Sequence, residues 1–470
     1  MSEQPTVLKF GGTSVADAAA FERVVQVVGR EAEARPVVVT SAMSKVTDAL
    51  LAAVRAAEEG DPEAALAALE PHLERHRAVA RELLGSSASR DFETTLDASR
   101  RDLETLLKDT AAGLMARPLL LQDAVVSHGE RLSSVLLAAV LAEAGLPAVH
   151  ADARRFVTTD EAHGHATPLE AETEQRTRAE LGPLVERGRI PVLGGFIGAT
   201  ADGATTTLGR GGSDYTAALV GAALRARVIQ IWTDVSGVLT ADPRVVGAAR
   251  TVPRLSYSEA AELAYFGAKV LHPKTVQPAV ELNIPLRILN SRAPDDSGTL
   301  VCDETEHAPR TVKAIAHKRG ITAVSVSAVR MLGAYGFLRA LFEIFDRHRT
   351  AVDVVTTSEV SVSLTLDDTT TLPVIEEELR RLGSVSVERE RAIVCVVGDG
   401  LRDTSGLAAQ IFGALGDINV TLISLGASSV NLTFVVEGGN VEEAVRRLHR
   451  AFFEEAGELN EERGTRNGKQ

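Results

Sequence analysis

Between residues 7 and 289, short apolar runs rich in β-branched residues alternate with longer stretches whose apolar positions recur every three to four residues. The short runs, 7–10, 37–41, 148–152, 191–197, 228–233 and 286–289, read as strands, and the longer stretches as amphipathic helices. Strands alternating with helices predict a mostly parallel sheet covered on both faces. Residues 61–114 break the rhythm. They are rich in Ala, Leu, Glu and Arg with a helical period, interrupted only at 85–89, and predict a helical hairpin inserted on the sheet domain. Residues 291–312, rich in Pro, Asp, Ser and Gly, read as a linker. After it a β-α-β-β-α order occurs twice. Strands are expected at 323–328, 351–357, 361–366 and 385–388, with helices at 337–348 and 370–382. A second set follows at 393–397, 420–425 and 430–436, with helices at 407–415 and 441–453. This internal repeat predicts two small modules, 313–389 and 390–455. A polar tail, 456–470, is expected to be disordered.

The 470 residues suit about three domains, the first spanning 1–290. A net charge of −14 argues against nucleic acid or an anionic membrane as partner. Cys302 and Cys395 give neither a disulfide framework nor a metal-ligand spacing. No basic and apolar leader opens the chain, and the most apolar helix, 135–142, falls short of a bilayer's thickness. The expectation is a cytoplasmic enzyme with no structural metal.

Two glycine-rich turns carry the chemistry. Lys9-Phe10-Gly11-Gly12 runs from the end of the first strand into a turn, and Thr207-Leu208-Gly209-Arg210-Gly211-Gly212-Ser213-Asp214 lies between an apolar run and a helical pattern. Strand, glycine turn and helix N-terminus suit an anion, because the backbone comes close and the helix dipole attracts it. Two such turns predict two anionic ligands, a nucleotide and an acidic co-substrate. Only eight of the 50 basic residues are lysine, yet Lys9 abuts the first turn and Lys269 sits in Phe266-Gly267-Ala268-Lys269. A compact ammonium suits a phosphoryl group in motion. Neither a P-loop nor a dinucleotide glycine motif is present. Phosphoryl transfer on another scaffold remains, with Lys9, Lys269, the amides of Gly11, Gly12, Gly211 and Gly212 and a bound Mg²⁺ neutralising charge. Asp214 reads equally as an N-cap or as a contact to Lys9 or Mg²⁺. The turn at 233–237 can hold base and ribose, and Arg244 can reach phosphate. Glu130, in Ser127-His128-Gly129-Glu130, can face an ammonium group, although an acid in a helix's first turn is the plainer reading. Arg210 can clamp a carboxylate. Together these two specify a zwitterionic amino acid.

In this order the motifs KFGGTS, SHGE, TTLGRGGSD, WTDVSG, ADPR and FGAKVLHP resemble the aspartate kinases of the amino-acid kinase family, over about 5–453. The resemblance implies a three-layer αβα catalytic domain followed by two ferredoxin-like (βαββαβ) ACT domains. It implies phosphorylation of the L-aspartate side chain by ATP, feeding lysine, threonine and methionine synthesis. By this likeness Lys9, Gly11, Gly12, Thr47, Glu130, Arg210, Ser213 and Asp214 touch substrate and γ-phosphate. Thr233, Asp234, Arg244 and Lys269 hold ATP. The chain is most similar to lysine-sensitive, single-function members. That likeness implies an L-lysine site at Met331, Gly336, Phe337, Leu338, Val352, Asp353, Thr357, Ser358 and Glu359. An ACT-type unit leaves sheet edges and an apolar face, so a homodimer or tetramer through 313–453 is expected. Asp353 and Glu359 also read as ordinary strand-end and turn acids. Leu239 departs from the family pattern, which carries Tyr beside the nucleotide. Another amino-acid kinase, or a ligand sensor on an inactive kinase domain, are the competing readings. The repeat and SHGE speak against the first, and intact Lys9, Arg210, Asp214 and Lys269 against the second.

Overall fold

A computed structural model describes residues 4–113, 118–267, 271, 273–303, 312–331, 335–426 and 428–454. They form two compact units. One holds residues 1–238, 253–257 and 270–303; the other holds 239–252, 258–269 and 304 onward.

The first unit runs β1 (Thr6–Phe10), α1 (Ala18–Arg30), β2 (Pro36–Thr40), α2 (Val46–Glu58), α3 (Pro62–Leu83), α4 (Ser86–Ala111), α5 (Pro118–Val126), α6 (His128–Glu143), β3 (Ala148–His150) and α7 (Glu170–Glu186). It continues with β4 (Ile190–Gly194), β5 (Ile197–Ala199), β6 (Thr205–Thr207), α8 (Gly212–Leu224), β7 (Val228–Thr233), β8 (Arg254–Ser256), α9 (Tyr257–Tyr265, which passes into the second unit), α10 (Pro273–Glu281), β9 (Leu286–Asn290) and β10 (Thr299–Cys302). Eight strands make one sheet in the order β3-β4-β2-β1-β7-β9-β10-β8. Its centre is parallel: Lys9 faces Val39 on β2 and Ile231 on β7. All five residues of β1 and of β2 are buried, as a sheet covered on both faces requires.

Several expectations shift. The helix expected directly after the first glycine turn starts later. A short 3-10 turn spans Gly12–Val15, and α1 starts three residues later, where Asp17 accepts from the Ala20 amide at 2.9 Å. The expected hairpin is α3 and α4, opened by Asp61, which accepts from the Ala64 amide. The stretch expected as a linker contains β10, which pairs antiparallel with β9 and parallel with β8. Its Pro and Gly hid a four-residue strand. The apolar segment is also longer than expected: α5 and α6 taken together, Pro118–Glu143, have the length and composition to cross a bilayer, but 78% of their most apolar window is buried inside the protein, as for a core helix.

The second unit is built on one antiparallel sheet. Its elements are β11 (Val312–Ser327), α11 (Phe337–Arg347), β12 (Val355–Thr357), β13 (Ser361–Leu366), α12 (Leu372–Leu379), β14 (Ser384–Gly398), α13 (Leu407–Leu415), β15 (Leu422–Leu425), β16 (Asn431–Glu437) and α14 (Val441–His449). The order is β12-β13-β11-β14-β16-β15. The sequence suggested separate strands at 385–388 and 393–397; they are one strand, and β11 begins earlier than expected. These two long strands serve two cores. Val324 and Val326 pack with Leu341, Phe345 and Leu364, whereas Val312 and Ile315 pack with Ile411, Phe434 and Val445. The change of core falls at an irregularity in the ladder, near Gly320 (φ 72) on β11 and Glu390 (φ 54) on β14. Ile315, expected in the first module, therefore belongs to the second core, together with Val312 from the expected linker. So do Ala241 and Val246, and Thr240 accepts from the Ile315 amide at 2.8 Å.

Candidate active site

Lys9 stands on central strand β1, so its stem is packed and only its tip emerges. That tip lies 2.8 Å from Asp214 Oδ1, and both side chains are nearly buried, at 11% and 15% exposure. Asp214 is held in the first turn of α8, where the dipole favours a carboxylate. The turn before it depends on Gly211, the helix cap, at φ 74.

The second glycine turn and SHGE meet at Gly194-Gly195. A Cβ on Gly195 would lie 2.7 Å from the Ser213 Cα, and one on Gly194 would press on the Glu130 backbone. Ser41 donates to Ser213 Oγ at 3.0 Å, and the Gly195 amide donates to Thr40 at 2.9 Å. Thr47 lies nearby in sequence, half-buried in the first turn of α2.

Glu130 is the most unusual group. It is 3% exposed; Oε1 accepts from the Ala42 amide at 3.2 Å, and Oε2 has no hydrogen-bond partner among the described residues. Burial pushes its carboxyl up to about 8. His128 beside it is buried and driven down to about 3, first by desolvation and then by Arg131 and Arg154, so it is neutral. A buried carboxyl with an unused oxygen suits a cation. Arg210 is the opposite case: exposed at the tip of its turn, with no ion pair among the described residues.

The amide cradle is narrower than the sequence suggested. The Gly11 amide donates to Trp232 O at 3.1 Å and the Gly212 amide to Gly209 O at 3.0 Å, leaving Gly12 and Gly211 as the turn donors to an anion. Thr233 and Asp234 close β7, with Thr233 Oγ1 donating to Asp234 at 3.3 Å. Arg244 belongs to the second unit, where Asp242 holds its exposed guanidinium at 2.7 Å. Lys269 lies outside the described residues.

The model of the amino acid kinase family matches residues 4–290, and that of the ACT domain residues 394–452. The chain is 40% identical to the lysine-sensitive aspartokinase 3 of Escherichia coli, over 95% of this chain and 99% of that one. It is also 40% identical to the chloroplastic aspartokinase 3 of Arabidopsis thaliana, over 95% and 81%. Its structure is similar to that of E. coli aspartokinase III in complex with aspartate and ADP (R-state), with a TM-score of 0.82 at 39% identity over 96% of this chain and all of that one. The lysine and aspartate complex (T-state) gives 0.79 over the same shares at the same identity. The chain belongs to the aspartate kinases. It is thus an enzyme, an amino-acid kinase domain joined to an ACT regulatory region.

In this aspartate kinase the residues expected around lysine are spread over one part of the second unit. Met331, Phe337 and Val352 pack against the first of its two cores. Gly336 caps α11 at φ 83 and Leu338 is exposed in the helix's first turn. Thr357, Ser358 and Glu359 are exposed at the β12–β13 turn, where Ser358 and Ser361 share a 2.7 Å hydrogen bond. Asp353 was expected to wait for an ammonium group. Its side chain is 4% exposed; it accepts from the Tyr265 hydroxyl on α9 and lies 3.8 Å from Lys318 Nζ on β11. Lys318 also pairs with Asp367 and stands 4.7 Å above the Tyr265 ring. Burial, the largest influence, raises the Asp353 carboxyl.

Sequence reasoning overlooked Ser41, Tyr265 and Lys318. Only Ser41 carried a signal, a hydroxyl just past the carboxyl end of a central strand. Leu239, noted for departing from the family pattern, is bridged to Thr251.

Proposed function

We propose that this aspartate kinase transfers the γ-phosphoryl group of ATP to the side-chain carboxylate of L-aspartate. An oxygen of that carboxylate bonds to the γ-phosphorus, the bond from the γ-phosphorus to the β–γ bridging oxygen breaks, and its electron pair leaves with ADP. The product is 4-phospho-L-aspartate, the entry to lysine, threonine and methionine synthesis. The observation that carries this reading is Glu130, buried with an unused oxygen: it receives the substrate's ammonium. Arg210 takes the α-carboxylate as a bidentate clamp, which leaves the side-chain carboxylate free to react. Lys9, organised by Asp214 at 2.8 Å, neutralises the transferring group together with the Gly12 and Gly211 amides. Thr47 and Ser213 complete the substrate contacts, and Thr233, Asp234, Arg244 and Lys269 hold the nucleotide. Among the described residues no three metal-ligating side chains cluster. Asp214, in the first turn of α8, would hold an Mg²⁺ carried on the phosphates, which would supply screening of their charge. Comparison with the E. coli enzyme solved with aspartate and ADP supports the pairing of substrates.

L-Lysine is the proposed feedback inhibitor. Its α-carboxylate meets the N-terminus of α11 at Gly336, and an ammonium group takes Asp353, displacing Tyr265 and Lys318. Glu359, Thr357 and Ser358 serve the second ammonium. The relative solved with lysine supports this ligand. Assembly is proposed as a homodimer, or a tetramer of two such pairs. β12 and β15 are the terminal strands of the sheet, and Ile423 and Leu425 on β15 are 44% and 45% exposed. The test is ADP formation dependent on L-aspartate, with and without lysine, threonine and methionine. Absence of aspartate-dependent ADP release overturns the reading, and activity untouched by lysine removes the regulatory part. Arg210→Ala should raise the KM for aspartate far more than that for ATP; a rise confined to ATP would move Arg210 to the nucleotide.

A further inference from the structure

One buried carboxylate of the first unit has both oxygens hydrogen-bonded and lies outside the substrate motifs. Asp123, on α5, is fully buried. Its Oδ1 accepts from the Thr207 hydroxyl at 2.5 Å and the Gly164 amide at 3.1 Å. Its Oδ2 accepts from the same amide at 3.0 Å and faces Nδ1 of buried His163 at 2.9 Å. Thr207 ends β6 and is the root of the turn that carries Arg210. Its carbonyl accepts from the Ala166 amide at 2.9 Å, and the hydroxyl of Thr206 meets that of Thr159 at 2.8 Å. One flank of the Arg210 turn is therefore fixed by main chain and side chains together. The other flank is anchored separately. Thr216 donates to Gly212 O at 2.9 Å and accepts from the Phe196 amide at 3.0 Å, and Asp214 is paired with Lys9.

We propose that Asp123, held by His163, is a positioning residue for aspartate recognition: through Thr207 it aims the turn from which Arg210 reaches the substrate's α-carboxylate. This rests on the reading of Arg210 given above. An exposed guanidinium on a glycine turn has no aim of its own. Its reach is set where the turn leaves the sheet, and a buried charge-assisted hydrogen bond is among the stiffest anchors available there. Because the phosphate side of the turn has its own anchors, loosening Thr207 should disturb substrate binding and leave the Lys9–Asp214 pair intact.

The test is steady-state kinetics of full-length Thr207→Val, Thr207→Ser, Asp123→Asn and Arg210→Ala. Valine keeps the β-branched shape and removes the donor; serine restores it. For Thr207→Val the expected result is a KM for aspartate raised by about tenfold, with kcat and the KM for ATP within about twofold of wild type. Thr207→Ser should return the aspartate KM toward normal. Asp123→Asn keeps the volume and should show the same split, and decides the matter if Thr207→Val does not accumulate as folded protein. Native constants in both variants, or an equal loss in kcat and both KM values without rescue by serine, would overturn the proposal. If Arg210→Ala leaves the aspartate KM unchanged, the reading of Arg210 fails. If it raises that KM and the Thr207 and Asp123 variants do not, only the present inference fails.

Discussion

A carboxyl buried in α6 with one oxygen unbonded keeps its proton until a cation arrives. Glu130 is held up to about 8 by burial, so near neutral pH the unliganded enzyme carries it mostly protonated. Binding of a substrate ammonium requires the charged form. Aspartate binding at pH 7 should therefore release a proton, detectable as a buffer-dependent heat in calorimetry. On the acid side of about pH 8 kcat/KM for aspartate should fall by roughly tenfold per pH unit, and Glu130→Gln should abolish that dependence along with most of the affinity. Stability follows the same sign. The native state holds a proton that the unfolded chain gives up, so this group's contribution declines as pH rises from its ordinary value of 4.5 through about 8. Thermal melts without substrate should show Glu130→Gln gaining on wild type between pH 5 and pH 9; parallel melting curves would contradict the burial argument. Lys9→Ala should lower kcat by on the order of 10²–10³ in a folded protein, and a near-normal kcat would remove it from the phosphoryl site. The sequence made Lys9 legible through its rarity and its glycine neighbours. The unusual state of Glu130 was hidden, because the groups beside it, Ala42 just after β2 and Gly194 at the end of β4, come from segments far away in sequence.

Among the elements, α9 and β11 carry the regulatory argument. Tyr265 and Lys318 fill the surroundings of Asp353 with a hydroxyl and an ammonium of the chain's own. An effector must displace both, and it shifts activity only as far as it prefers one arrangement over the other. Lys318→Met removes the internal competitor, so lysine should inhibit at about fivefold lower concentration; Asp353→Ala should lose inhibition. Titration of ADP formation with lysine checks both, and an unchanged midpoint in Lys318→Met would show that its pairing with Asp367 is all that matters. Hydrophobic periodicity revealed the alternation of strands and helices. It missed β10, because four residues between proline-rich turns carry too little pattern. It also divided β14, because solvent-facing charges at 388–391 interrupt an apolar run that is continuous only in hydrogen bonds.

For the whole molecule, composition set the class, and the order of motifs and modules set the sequence of domains. What stayed invisible was which residues share a core, since that depends on pairings between distant segments. The proposed dimer is checked by light scattering at micromolar concentration, with and without lysine; a monomer in both conditions would refute it. The two cores of the regulatory unit lead to one more expectation. Everything in the first core lies between Gly320 and Glu390, while the strand halves before and after belong to the second. A pull on the chain at Val312 and Phe453 therefore loads the outer core alone. The inner one is shielded, as a knot's loop is by its neck, until the outer ladder gives way. Stretched between those points, the region should yield in a fixed order, outer core before inner, whichever of the two is the more stable in solution.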